Sequence, residues 1–409
     1  GALYAANSFA REPKVGLRLL GLLHPAADGL KSIFKEDIVP PGADRLIHSI
    51  APIISFFPAL IVMGVIPFGD RLCLPAGGSV GSLMTPLTEA CTGRSFSLQL
   101  IDLDAGLLFF FALGGTGIIG AALAGWASNN KYSLMGGLRA ASQMVSYEVT
   151  MGLSLIGVLM VYGTLRVDKM IEWQSQNSWG IFVQPVAFIL FFAAAVAESK
   201  RIPFDSPEGE SEIVAGYYTE YSGMKFAMFF FAEYVAVVTA SALMVALFFG
   251  GWALPFLEPS GLRVVIGSTV WLAQPLPQLV VVLLGALAFV GKTLLLCWLQ
   301  LLIRWTLPRF RYDQLMHLGW TKLLPWSLVN ILATGLVMMV LSTAGTYVQD
   351  ILTLLAQLSK VAVTCAALVA AVALAGLLLK PAARRQRNTT SSARFAEMLG
   401  GTLTGRMGA

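Results

Sequence analysis

Apolar residues run in windows of about 20 or more at 47–69, 104–127, 138–164, 180–198, 226–250, 276–304, 323–345 and 361–379, with polar connections between them. A helix rising about 1.5 Å per residue crosses the hydrocarbon core in about 20 residues. Lipid offers no partner to an unpaired backbone group, so each window predicts a helix. The pattern is that of an all-α, polytopic membrane helix bundle of about eight spans.

Ahead of the first window, LRLLGLLHPAADGLKSIFKE (17–36) has a different rhythm. Leu19, Leu22, Leu23, Ala26, Leu30, Ile33 and Phe34 recur at helical spacing against Asp28, Lys31 and Lys35. This segment is too polar to span. It predicts an N-terminal amphipathic helix, lying in the membrane interface or docked on protein. The organisation expected is an interfacial segment (1–46), a membrane core (47–345), an acidic connection (199–225) within it, a last span in 346–379, and a basic, Ser/Thr-rich, disordered tail (380–409).

Composition agrees: 56% of the 409 residues are hydrophobic and 12% charged, far from the balance of a soluble domain. The net charge of +5 flanks apolar spans, so it reports orientation and not nucleic-acid binding. If the ends alternate, 21 basic residues fall on the side of 1–46, 128–139, 199–225, 304–322 and the tail, against five on the other side. That asymmetry predicts N- and C-termini and the acidic connection in the cytoplasm. From the opening GALYAANSFAREPK no signal peptide is expected, since it lacks a charged start followed by an apolar core.

Four cysteines without a CxxC pair, and histidines only at 24, 48 and 317, predict no metal centre and no haem clamped across the bilayer. No Walker loop or strand-borne GxGxxG is present, so no nucleotide site is expected. Cys73 and Cys91 share the 70–97 connection and form a disulfide in an oxidising compartment, or remain two free thiols. GGTGIIGAALAG (114–125) carries small residues at the spacing of close helix packing.

The candidate chemistry lies in 197–221, AESKRIPFDSPEGESEIVAGYYTEY, which holds Glu198, Asp205, Glu208, Glu210, Glu212 and Glu220, six of the chain's 23 acidic residues. Charge runs are commonly solvated loops, but Ile202, Phe204, Ile213, Val214, Tyr217, Tyr218 and Tyr221 are interleaved here. Inside the spans, Glu233, Glu148 and Lys292 stand roughly 11, 15 and 18 Å from the cytoplasmic ends, with Tyr234 and Tyr147 adjoining the glutamates. Each ionisable group would cost about 2.5–3.5 kcal/mol or more facing lipid. Two readings are open: Lys292 pairs with a glutamate to hold helices in register, or the groups form a path for protons. Three of them beneath six carboxylates favour the path, because crowded carboxylates in a poorly solvated site share and exchange protons.

These residues carry a family resemblance. AESKRIPFDSPEGESEIVAGYYTEYSGMKFAMFFFAEY (197–234) resembles the signature of the H subunit of bacterial respiratory NADH:quinone oxidoreductase, complex I, the subunit-1 family of mitochondria. So do ADGLKSIFKED (27–37), LAGWASNNKYSLMGGLRAASQMVSYEV (123–149), FFGGW (248–252) and LPRFRYDQLMHLGWTKLLPWSL (307–328). The resemblance covers about 13–345; the family's first helix and its motif ending GPNRVG are not matched, and 361–379 adds a helix beyond its usual last one.

The resemblance implies a membrane subunit, inactive alone, that forms the quinone access tunnel and couples quinone reduction to proton transfer. Quinone is then the substrate, with iron–sulfur clusters and FMN confined to partner subunits. Those partners are the hydrophilic quinone-site subunits and adjacent small membrane subunits. Arg201, Phe204 and Tyr217 are placed at the tunnel, and Glu148, Glu198, Asp205, Glu208, Glu210, Glu212, Glu220, Glu233 and Lys292 on the proton pathway. Alternatives are the membrane subunit of a related energy-converting hydrogenase or formate hydrogenlyase, and a stand-alone cation/proton antiporter, which would be expected to show an internal repeat.

Overall fold

The computed structural model describes residues 24–74, 94–207, 209–266, 269–343 and 346–379. A short helix, α1 (His24–Phe34), precedes the bundle helices α2 (Arg45–Met63), α3 (Gly106–Gly114), α4 (Thr116–Ala127) and α5 (Lys131–Tyr162). There follow α6 (Val167–Gln176), α7 (Gly180–Val183), α8 (Pro185–Glu198), α9 (Glu210–Ile213) and α10 (Gly223–Phe248). The chain continues through α11 (Gln278–Thr306), α12 (Tyr312–Leu318), α13 (Leu324–Thr343) and α14 (Thr346–Leu379). Among the described residues, six helical stretches are long and apolar enough to cross a membrane. The protein is an all-α, multi-pass membrane bundle.

The strands are small and confined to connections. Leu72–Leu74 (β1) pairs antiparallel with Arg94–Phe96 (β2), and Leu257–Glu258, Gly261–Ile266 and Thr269–Pro275 (β3 to β5) form an antiparallel meander. Residues up to Lys360 make one compact unit, and those from Val361 a second.

The sequence windows map onto this with local differences. Window 104–127 is two helices, α3 and α4, meeting at Gly115. Window 180–198 is the single turn α7 followed by the 14-residue α8, whose Pro185 stands at its first position, where a missing N–H does no harm. Window 361–379 is the second half of a 34-residue helix.

Two caps start the long helices. The Asp44 carboxylate accepts from the N–H groups of Leu46 and Ile47 at the head of α2, and the Asn130 side chain accepts from Tyr132 N–H at the head of α5. Each satisfies donors that a helix leaves unpaired in its first turn.

The 32-residue α5, about 48 Å long, is the spine. It packs against α4, α8 and α13, while α10 packs against α2 and α11. Backbone meets backbone along α5. A Cβ on Gly137 would lie 3.1 Å from the Cα of Gly125 in α4, and one on Gly136 would lie 2.5 Å from the Cα of Gly216. Gly216 itself has φ +57°, a left-handed conformation that glycine adopts without penalty. The core around the spine is aromatic and aliphatic, with Tyr147, Phe191, Phe248 and Phe289 all at 2% exposure or less.

Polar contacts sort the connections into two ends. At one end Arg139 bonds Glu212 at 2.6 Å, Asn130 donates to Glu220 at 2.7 Å, Lys225 pairs with Asp37 at 2.8 Å, and Arg309 pairs with Asp205. At the other end Arg166 bonds Asp102, Asp104 and Asp168, Arg71 also pairs with Asp168, and Lys360 Nζ donates to the carbonyls of Ser175 and Gln176. Among the described residues no ion pair joins the two sets. The connection before α7 and the one after α8 fall at opposite ends, so this short pair of helices crosses the bundle. Cys73 is disulfide-bonded and Cys297 and Cys365 are free; Cys91 lies outside the described residues.

Burial pushes the Asp168 carboxyl up, but hydrogen bonds from Arg166 and Arg71 outweigh it and hold it below the ordinary 3.8. A carboxylate with a depressed value stabilises the fold above its unfolded value and loses that contribution as pH falls through its folded one. Asp168→Asn is therefore expected to lower the melting temperature of the detergent-solubilised protein at neutral pH. The gap to wild type should close only below pH 3.8; a gap that ignores pH would show that ionisation of Asp168 contributes nothing.

Candidate functional site

An open pocket lies between α2, α3, α4, α5, α8 and α10, with about 860 Å³ of empty space when the solvent at its mouth is included. Its walls are apolar for most of their extent: Val62, Phe110, Met144, Met151, Phe191 and Ala236. One end is polar, where Glu198, Ser199, Lys200, Tyr217 and Glu233 reach it.

The polar end is built by the way α8 stops. Ser199 caps the helix and Lys200 turns left-handed, φ +53°, a conformation that a residue with a Cβ adopts only where its surroundings hold it. The turn brings Lys200 Nζ to the Tyr217 hydroxyl, 2.9 Å away. Tyr217 and Tyr218 hydroxyls are 2.6 Å apart, and both reach Glu233 Oε1, Tyr217 at 3.3 Å and Tyr218 more closely. On the other carboxylate oxygen, Arg201 Nη2 stands at 3.1 Å. The Arg201 guanidinium also lies over the rings of Tyr234 and Phe230, 4.4 and 5.0 Å from their centroids. Ammonium, two phenols and carboxylate thus form one hydrogen-bonded run, which the Arg201 guanidinium extends as an ion pair to Glu233, whose side chain is 3% exposed.

The connection that carries these groups is anchored at both ends. Asp205 pairs with Arg309, and Phe310 N–H donates to Pro203 C=O at 3.1 Å. Burial still pushes the Asp205 carboxyl above its ordinary range, the Arg309 guanidinium offsetting only part of that rise. At the far end Tyr221 stacks on His48, ring centroids 4.1 Å apart, and the Ser222 hydroxyl bridges Ile38 N–H and Glu36 C=O.

The residues singled out from sequence are distributed unevenly. Glu198, Tyr217 and Glu233 line the cavity, and Arg201 stands behind Glu233. Glu148 is half-buried on α5 with its carboxylate against Gly115, where a Cβ would lie 2.8 Å from Oε1. Glu148 and Glu198 interact electrostatically. Glu212 and Glu220 are held at the bundle's end by Arg139 and Asn130. Glu208 and the side chain of Glu210 lie outside the described residues.

Two placements differ from expectation. Phe204 is not on the cavity wall but buried in the core against Tyr147 and Phe310, ring centroids 5.8 and 5.5 Å away. Its carbonyl is drawn onto α5 by Gln143, which turns the ring inward. Lys292 does not join the glutamates. Its ammonium donates to the carbonyls of Phe249, Gly251 and Ala253, each at 2.9 Å, and lies 4.6 Å from the Trp179 ring centroid. Phe249, the residue that caps the end of α10, is 16 residues beyond Glu233, about 24 Å along the helix axis. The carbonyls past the end of α10 are the kind a helix leaves unpaired, and a cation there satisfies them.

Lys200 and Tyr218 were not among the sequence candidates. Their signal was present as a basic residue two positions after Glu198 and as the doubled tyrosine of AGYYTE. Among the described residues, no group of three His, Cys, Asp or Glu side chains is positioned to hold a metal ion.

A sequence model described as NADH dehydrogenase matches residues 11–335. The chain belongs to the NADH dehydrogenase family. One of the H subunits of NADH-quinone oxidoreductase in Geobacter metallireducens is 44% identical over 317 residues, which is 78% of this chain and 83% of that protein. An H subunit from Geobacter sulfurreducens is 45% identical over 317 residues, 78% and 82% of the two chains. Another, from Cytophaga hutchinsonii, is 41% identical over 315 residues, 77% and 83%. Family membership therefore extends over the cavity and all the residues of its polar end, while α14 lies beyond the matched region.

Lys292→Met is expected to destabilise the protein, because it takes the donor from three part-buried carbonyls. Limited proteolysis at 249–253 and the melting temperature read this directly. A variant as resistant and as stable as wild type would show that the ammonium is dispensable as a helix cap.

Proposed function

We propose that the chain is the membrane subunit of a proton-translocating NADH:quinone oxidoreductase in a bacterial cytoplasmic membrane, giving quinone its way in and coupling quinone reduction to proton transfer. The observation that supports this reading is the cavity. Its apolar walls suit a prenyl chain, and its one polar end offers an ammonium and a phenol to the carbonyl oxygens of a quinone ring.

Reducing a quinone to a quinol takes two electrons and two protons. Electrons come from an iron–sulfur cluster of a hydrophilic partner subunit, which receives them through FMN elsewhere in the complex. The work of this chain is positioning and charge. Lys200 and Tyr217 orient the ring, and the change in charge on reduction is felt by Glu198 and, through Tyr217 and Tyr218, by Glu233. A buried carboxylate balanced between a guanidinium and two phenols changes its protonation when a neighbouring charge changes. From there Asp205, Glu212 and Glu220, with Glu208 and Glu210 of the same connection and Glu148 on α5, extend the path towards adjacent membrane subunits. The excess of basic residues on one side supports a cytoplasmic acidic end and cytoplasmic termini, with Cys73 then facing an oxidising compartment.

A hydrogenase-type complex would carry a related membrane subunit without a quinone. Inhibition by quinone analogues that block an access tunnel separates the two, and an insensitive, hydrogen-evolving complex would reject the proposal.

Glu233→Gln and Glu210→Gln are expected to leave assembly intact while lowering NADH:quinone reductase activity and proton pumping together. The measurements are both rates in membranes whose subunit content is checked by gel. Wild-type rates in both variants would remove these carboxylates from the path.

A further inference from the structure

Gln143 is a fully buried amide on α5, with no function assigned above. Its Nε2 donates to the carbonyls of Ala197 and Phe204, at 2.8 and 2.7 Å, and its Oε1 accepts from the Ser206 hydroxyl at 2.7 Å. Both amide protons and a carbonyl lone pair are in use, the most that this side chain can give in so small a space. Ala197 and Ser206 bracket residues 198–205, which contain Glu198, Lys200, Arg201 and Asp205.

That stretch does not hold its shape unaided. Lys200 is left-handed, a conformation unfavourable for a residue with a Cβ. Its own N–H reaches the Ala197 carbonyl only at 3.4 Å, whereas Gln143 bonds the same oxygen at 2.8 Å. The amide therefore closes the end of α8 and fixes where the chain turns. On the same face of α5, one turn before and after, Arg139 holds Glu212 and Tyr147 donates to Leu315 C=O at 2.9 Å. Arg139 acts at the rim, where Glu212 is 48% exposed; Gln143 acts in the dry interior, where a lost hydrogen bond is not replaced by water.

We propose that Gln143 is a positioning residue: by tying Ala197, Phe204 and Ser206 to α5 it aims Lys200 into the cavity and Arg201 at Glu233. This role rests on the function proposed above. It requires an amide, since two carbonyl oxygens must meet donors and a hydroxyl must meet an acceptor at one side-chain tip. A carboxylic acid of the same shape keeps one donor while protonated and none once ionised, when its charge faces two carbonyl oxygens.

The experiment uses Gln143→Glu and Gln143→Met in the whole membrane-embedded complex. Quinone reductase kcat and KM are measured across pH, and amide hydrogen exchange of 198–206 is followed without turnover. Gln143→Met is expected to lower kcat about tenfold to a hundredfold, as misplacement of a reacting site does, with a smaller change in KM and faster exchange. Gln143→Glu is expected to retain activity at acid pH and to lose it as pH rises, a limb that wild type lacks. Being isosteric, it keeps the idea open to refutation even if Gln143→Met fails to assemble. Normal kinetics and a wild-type pH profile in Gln143→Glu, with or without faster exchange, overturn the positioning role alone. Wild-type complex without quinone reductase activity overturns the proposed function and this role with it.

Discussion

A carboxylate removed from water inside a bilayer survives only if its charge and lone pairs are met by the protein. Glu233 sets that condition for the site. Its partners come from two separate elements: Arg201 from just past the end of α8, and Tyr217 and Tyr218 from the short turn over α5. To bring them together the chain accepts a left-handed lysine and a glycine-only contact between Gly136 and Gly216. Satisfying one buried acid thereby determines the path of the whole acidic connection.

The division of polar contacts into two ends follows from the same cost of desolvation. Ion pairs form where each connection meets its neighbours at the rim, and the long apolar spans between carry very few charges. Lys292 is informative because it obeys this rule by an unexpected route. A four-carbon stem lets the charge end well away from its Cα, and the carbonyls beyond α10 are close enough to receive it.

Much of this was legible in the chain. Apolar windows located the helices, their alternation sorted the connections into two sets that make separate polar contacts, and the acidic run contains residues that line the cavity. What could not be read is where side chains turn. Counting depth from the Cα put Lys292 only about 7 Å deeper than Glu233; its real target depends on a turn made by Gly250 and Gly251, both left-handed. The family resemblance placed Phe204 at the tunnel, but an amide 61 residues earlier in sequence draws its backbone inward. Lys200 and Tyr218 were passed over because their importance is relational: neither is unusual until a turn places them one hydrogen bond apart from a shared neighbour.

The contact of Gly136 with Gly216 has a mechanical corollary. Two main chains in direct apposition have no layer of side chains between them to repack or absorb strain. A small rotation or slide of the long central helix would be passed to the tyrosine-bearing turn as displacement, undamped, so that stiffness at one point of contact links movement in the interior of the membrane to geometry at the rim.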